Sequence, residues 1–239
     1  MVNLSKYDIG LNLERAMLSS SGANAIYIEG KTYTYKELYS YANSIRHTIN
    51  NTISEGSQFI GILSYRSIDV YAGIVGILLS KNAYLALNPN QPVDKVNKII
   101  HTSECKIILL SEEGVDLFLQ LKIKHDLTLI CPNPGPKLKK LIQENNKDNF
   151  IFREDFFSTS ESRSDVYGDD PAYLMFTSGS TGAPKGIAVS HKNLYTYLNH
   201  TLKKYNFKES DRVSQTFDTT FDLSAHDIFV TFLSGACLY

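Results

Sequence analysis

The segment Tyr173-Leu-Met-Phe-Thr-Ser-Gly-Ser-Thr-Gly-Ala-Pro-Lys-Gly186 gathers hydroxyls, glycines and a lysine into one short stretch. Thr177, Ser178, Ser180 and Thr181 offer O–H donors, and Lys185 adds a positive charge. Gly179 and Gly182 let the backbone bend so that N–H groups can face an anion. Such chemistry suits a triphosphate. It is not a Walker loop, because Pro184 precedes Lys185 and Gly186 follows it where a Ser or Thr would be needed. Nor does the spacing of Gly179, Gly182 and Gly186 match a dinucleotide fingerprint. A solvated Ser/Gly linker is the plain alternative. The apolar entry Ala172-Tyr-Leu-Met-Phe176 and the exit Pro184-Lys-Gly-Ile-Ala-Val189 speak against it and predict an ordered loop.

A second segment, Gln215-Thr-Phe-Asp-Thr-Thr-Phe-Asp-Leu-Ser-Ala-His-Asp-Ile-Phe-Val230, sets Asp222 four residues before His226, so the two share a face if the segment is helical. By itself Asp222 reads as the N-cap of a helix Leu223–Leu233. His226 reads equally as a neutral helix histidine or as a pocket residue. Asp218 and Asp227 are expected in solvent, Phe217, Phe229 and Phe232 in the core, and His191 at a helix start without chemistry.

At these residues the chain resembles the adenylate-forming superfamily: amino-acid adenylation domains of nonribosomal peptide synthetases, acyl- and aryl-CoA ligases, and luciferases. Within it the chain is most similar to the amino-acid adenylation domains. The resemblance implies ATP-dependent activation of a carboxylate, an amino acid in this branch, as an acyl adenylate with release of pyrophosphate. Transfer to the phosphopantetheine thiol of a carrier protein would follow. It implies ATP contacts by Thr177, Ser178, Gly179, Ser180, Thr181, Gly182 and Lys185, with Thr177 and Lys185 catalytic. It implies Mg2+, whose main ligand would lie outside this chain. Asp222 would pair with the substrate's α-ammonium, Phe221 would stand as the aromatic gate beside the carboxylate, and Leu223 and His226 would shape the pocket. A carboxylate–CoA ligase is the alternative, and Asp222 separates the two, because a carboxylate buried beside an uncharged acyl chain is left unpaired.

Two further segments carry the likeness. Thr32-Tyr-Thr-Tyr-Lys-Glu-Leu38 resembles the family's first shared segment, and Leu78 to Pro89 its second, with Asn82 in place of the usual glycine and Asn88 in place of an aspartate. Both segments are structural in the family.

The chain has 239 residues, 43% hydrophobic and 21% charged, with a net charge of −1, which places it among ordinary globular proteins and gives no basic face for nucleic acid. Small-molecule substrates are expected. The longest apolar run, Gly73 to Leu79, is short of a membrane span, and the N-terminus lacks a signal-peptide core, so a cytosolic protein without membrane contact is expected. Cys105, Cys131 and Cys237 are widely spaced and form no C-x-x-C, which predicts buried thiols and no metal site.

The elements that must position these residues can be read from pattern. Leu11 to Ser20 predicts a helix, and Ala25 to Tyr33 two strands about a turn at Glu29-Gly30-Lys31. Thr34-Tyr-Lys-Glu37 has the form of a capping box opening a helix at roughly 35–50. Strands at Gln58–Leu63, Ala83–Leu87 and Lys106–Leu110 alternate with helices at Ser67–Ser80 and Val93–Thr102, which argues for a largely parallel sheet covered on both faces. Pro132 to Asp170 reads as a connector, with Asn149–Phe152 as an optional edge strand. Beyond it come a strand at Ala172–Phe176, a helix from Ser190 to about Lys204, and a strand at Arg212–Thr216 that opens a second sheet layer.

The expected fold is thus α/β, with layered sheets and covering helices, corresponding to the N-terminal portion of the family's large domain. About 1–131 would form the first layer, 132–170 the connector, and 171–239 the phosphate-loop and acyl-pocket segment. The resemblance covers less than half of a complete enzyme, so the rest of the enzyme is expected as a partner and the chain alone is expected to adenylate poorly or not at all. A different class of reading is an inactive truncated remnant or a nucleotide-binding partner. Uncovered strand edges and apolar helix faces would favour aggregation or complementation.

Overall fold

The alternating apolar runs fold as the pattern demands. The computed structural model describes residues 4, 7–53, 58–123, 125–144, 150–152, 156, 165–178 and 184–239. In chain order the elements are α1 Ile9–Ser19, β1 Asn24–Ile28, β2 Lys31–Thr34, α2 Tyr35–Thr52, β3 Phe59–Leu63, α3 Ile68–Leu79, β4 Ala83–Leu87, α4 Val93–Ser103 and β5 Ile107–Leu110. A 3-10 turn at Glu112–Gly114 leads to α5 Val115–Phe118, β6 Thr128–Cys131, α6 Pro136–Glu144 and β7 Phe150–Phe152. Then come β8 Pro171–Ser178, β9 Pro184–Ser190, α7 His191–Tyr205, β10 Arg212–Val213, α8 Asp222–Ser234 and β11 Cys237–Leu238.

The larger sheet has seven strands in the order β7-β6-β5-β3-β4-β8-β9, parallel throughout except for the antiparallel β8–β9 pair. Its central strands are apolar at nearly every position because helices cover both faces. Alternate residues divide between two cores, as the period of two requires. Ile60, Ile62, Tyr84, Ile107 and Leu109 join Ile45, Ile74 and Phe229 on one face. Leu63, Leu85, Leu87, Ile108 and Leu110 join Val96, Ile99, Leu138 and Leu141 on the other. The smaller sheet runs β10-β11-β1-β2, with the β1–β2 hairpin turning at Glu29 and Gly30, both at positive φ. Among the described residues no helix is long and apolar enough to cross a membrane. All three cysteines are free and buried.

Helix starts follow local chemistry. Thr34 Oγ1 accepts from the Glu37 N–H at 3.2 Å while Glu37 Oε2 accepts from the Thr34 N–H at 2.8 Å, completing the capping box. Ser190 caps α7 by accepting from the Asn193 N–H at 3.2 Å. His191 opens that helix fully buried, and its Nδ1 accepts from the Ile9 N–H at 3.2 Å, with burial lowering its pKa.

Two sequence expectations change, and one departure from the family pattern gains a structural account. The stretch read as a connector holds α6, whose Leu138, Leu141 and Ile142 are buried in the second core, and β7, the edge strand of the larger sheet. Pro136 fits the first position of that helix, and the apolar spacing from Leu138 was the overlooked signal. The hairpin β8–β9 extends the larger sheet, while β1 and β2, expected in the first layer, join β10 and β11 in the smaller one. Asn82 is fully buried, its Oδ1 accepting from the Gln58 N–H at 2.9 Å and its Nδ2 donating to Ser80 O at 2.9 Å, so the side chain itself makes the turn into β4.

Candidate functional site

The β8–β9 hairpin flanks the segment read from sequence as a phosphate loop. Its register pairs Tyr173 with Val189, Met175 with Ile187, Thr177 with Lys185 and Ser178 with Pro184. Directly paired residues of an antiparallel ladder point to the same face. Tyr173, Met175 and Thr177 therefore share a face with Val189, Ile187 and Lys185, while Leu174 and Phe176 lie on the other face, in or against the second core. Thr177 and Lys185 are exposed. Gly179, Ser180, Thr181 and Gly182, and the expectation of an ordered loop, lie outside the described residues, as does the side chain of Ser178.

The segment read from sequence as the acyl pocket is held by a polar network. Asp218, expected in solvent, accepts from the Thr220 N–H at 2.9 Å and from the Thr220 hydroxyl at 2.7 Å, and takes a hydrogen bond from Asn88 Nδ2. Here Asn88, placed where an aspartate is common, is the donor that an aspartate opposite Asp218 could not supply. Arg66 Nη2 donates to Thr216 O at 2.9 Å, and the Tyr71 hydroxyl donates to Gln215 Oε1 at 3.1 Å. Phe217 is half-exposed rather than in the core, whereas Phe229 and Phe232 are fully buried. Asp227 is buried, which raises its carboxyl above the ordinary range; its Oδ2 has no hydrogen-bond partner among the described residues.

Asp222 is the first residue of α8, and the preceding cap position falls to Phe221, with no side-chain cap hydrogen bond. The capping reading of Asp222 is thus displaced. It stands instead, exposed, in the first turn of the helix, where the dipole favours a negative charge.

Thr177, Phe221 and Asp222 line one cavity of about 390 Å³, together with Tyr173, Met175, Phe176, Ile187, Val189, Thr220 and Lys95. Two segments more than forty residues apart in sequence thereby meet: the exit of β8 and the start of α8. Tyr173 is pushed up to about 12, first by burial and then by the negative charge of Asp222 and by Tyr197. Lys185, Leu223 and His226 do not line this cavity. Leu223 is 50% exposed. His226 Nδ1 is hydrogen-bonded at 2.6 Å to the Tyr197 hydroxyl of α7. Tyr173 and Thr220 lie inside the two quoted segments but were given no site role, and Lys95 lies outside both; the hydrogen bond from Gln91 Nε2 to Thr220 Oγ1, at 3.4 Å, and that from Asn88 to Asp218 bring the approach to α4 against the acyl segment. A larger cavity of about 930 Å³ opens beside Lys31, Lys36 and Tyr41, but none of the residues predicted to bind ATP or the acyl group lines it.

A family model described as AMP-binding enzyme matches residues 13–239. Tyrocidine synthase 3 of Brevibacillus parabrevis is 32% identical over 215 residues, spanning 90% of this chain and 3% of that protein. Bacitracin synthase 3 of Bacillus licheniformis is 29% identical over 217 residues, 91% of this chain and 3% of its own length. Among solved structures, the Vibrio cholerae adenylation domain AlmE in complex with glycyl-adenosine-5'-phosphate superimposes with a TM-score of 0.83 at 29% identity, over 99% of this chain and 45% of that one. The N-terminal subdomain of Klebsiella oxytoca NpsA, at 20% identity and a TM-score of 0.71, shares the fold. The chain therefore spans a few per cent of the curated relatives and under half of AlmE. With the hairpin, the cavity and a match running over nearly the whole sequence, the chain belongs to the AMP-binding enzyme family.

Proposed function

We propose that the protein activates an amino acid as its adenylate. The observation that carries this is the meeting of Thr177 and Asp222 in one cavity, a hydroxyl from the phosphate-loop hairpin beside a carboxylate suited to an α-ammonium. The glycyl-adenosine-5'-phosphate held by AlmE is an aminoacyl adenylate, which supports the same class of product. ATP is the co-substrate: an oxygen of the amino acid's carboxylate attacks the α-phosphorus, the bond to the bridging oxygen breaks, and pyrophosphate leaves. Carboxylate and triphosphate repel one another, so the work of the protein is to hold them in line and supply fixed donors and positive charge. Thr177 and Lys185, with the loop between them, serve the phosphoryl oxygens. Asp222 holds the ammonium, and Phe221 closes the cavity beside it.

The acyl group then passes to the phosphopantetheine thiol of a carrier protein, and Mg2+ accompanies the triphosphate. Among the described residues no group of three His, Cys, Asp or Glu could hold a metal ion, and no step is assigned to one.

Hydroxamate trapping tests the reading, using the protein as encoded in full, a panel of amino acids and the matched des-amino acids. Amino acids are expected to react and their des-amino analogues not to, with Asp222→Ala losing that discrimination. Equal rates for both series would favour a carboxylate–CoA ligase.

A further inference from the structure

Lys95 and Asp222 bring opposite charges to one cavity without meeting. Lys95 lies near the start of α4, is half-buried, and forms no ion pair with any carboxylate among the described residues. Lys98, on the next turn of the same helix, is exposed. The start of α4 is fastened to the acyl segment by the Gln91–Thr220 and Asn88–Asp218 hydrogen bonds, so Lys95 is carried on a braced element. A cation in a partly closed space, in no ion pair with a carboxylate among the described residues, is placed to gain from an anionic ligand. The cavity also opens on Thr177, at the entry to the phosphate-loop segment.

We propose that Lys95 is an anion-contacting residue of this site, its ammonium taking an anionic oxygen of one of the two reactants, the carboxylate of the amino acid or a phosphoryl oxygen of ATP. This rests on the adenylation reading for the identity of those reactants. The lysine offsets part of the repulsion between carboxylate and triphosphate, and with Asp222 it gives the cavity the charge pair that a zwitterion needs.

The test is lysine footprinting of the protein as encoded in full. Brief acetylation with an N-hydroxysuccinimide ester is followed by peptide mass spectrometry, without ligand, with ATP, and with each amino acid of the panel. Lys98 is the internal reference. Protection of Lys95 by ATP assigns the phosphoryl contact, and protection by an amino acid alone assigns the carboxylate contact. Unchanged Lys95 reactivity in all arms overturns the inference. In kinetics, Lys95→Gln is expected to raise the KM of the protecting reactant about tenfold or more, and Lys95→Arg to restore most of it. Neither KM moving would overturn the contact. Protection by ATP in a protein that activates no amino acid would sink the substrate assignment while leaving Lys95 as a phosphate contact.

Discussion

Thr177 and Lys185 stand directly opposite one another across the β8–β9 ladder. The hydroxyl and the ammonium are therefore held on one face by the backbone register, independently of the residues between them. Under the adenylation reading proposed above, such a placement would set both as donors toward developing phosphoryl charge. In the full-length protein, Lys185→Ala is expected to lower ATP–pyrophosphate exchange about 100-fold, the scale of removing one preorganised donor. Lys185→Arg should retain part of the activity. Exchange unchanged in Lys185→Ala would separate this hairpin from the nucleotide.

Tyr35, the first residue of α2, ties that helix to the far end of α8. Its side chain is fully buried, and its hydroxyl donates to Ala236 O at 2.6 Å and Thr231 O at 3.1 Å. Burial, followed by Cys237 and Glu209, raises its pKa far above the ordinary phenol range, so it stays a donor. Tyr35→Phe keeps the ring and strands the carbonyl of Ala236. The expected loss is about 1–3 kcal/mol, read as a lower urea midpoint at unchanged slope. An unchanged midpoint would mean that another donor takes over the carbonyl.

Much of the fold was legible because parallel strands buried on both faces must be apolar throughout, as Ala83–Leu87 is, and because capping chemistry marks helix starts at Thr34 and Ser190. The return strand Pro184–Ser190 was hidden, since it is an exposed edge whose lysine and glycine carry little strand pattern. Within the site, motif residues could be named but not sorted. Sequence spacing placed Asp222 and His226 on one face, yet Asp222 lines the cavity while His226 pairs with Tyr197. That division depends on where α7 packs, which no local pattern contains. Asp218 and Asp227 were misread for the same reason: a partner such as Asn88, or a covering layer, comes from a distant element.

Helices α2 and α3 approach closely because Gly76 has no side chain. A Cβ there would lie 2.7 Å from Ala42 O and 2.9 Å from Ile45 Cβ, neither the end of a flexible side chain. Gly76→Ala must push the two helices apart, at a cost of about 1–3 kcal/mol despite the better helix propensity of alanine. A thermal melt of Gly76→Ala beside Gly22→Ala, where nothing lies within 4 Å of the new atom, isolates the effect. Equal melting temperatures for the two variants would refute the close-packing account.

The capping box of α2 gives a pH-dependent contribution whose direction is fixed. The Thr34 backbone N–H, and next its hydroxyl, hold the Glu37 carboxyl below its ordinary value of 4.5. A carboxylate with a depressed folded pKa stabilises above the unfolded value and loses that contribution as pH falls through the folded one. Glu37 is almost fully in solvent, so water and salt screen it, and the magnitude is that of a charge at a helix N-terminus, about 0.3–1 kcal/mol. Glu37→Gln keeps an amide that can still accept from Thr34 but removes the charge. Wild type should therefore exceed this variant in stability at neutral pH, and the two urea curves should draw together as pH drops below 4.5. A constant gap across that range would assign the Glu37 contribution to hydrogen-bond geometry alone, with charge playing no part.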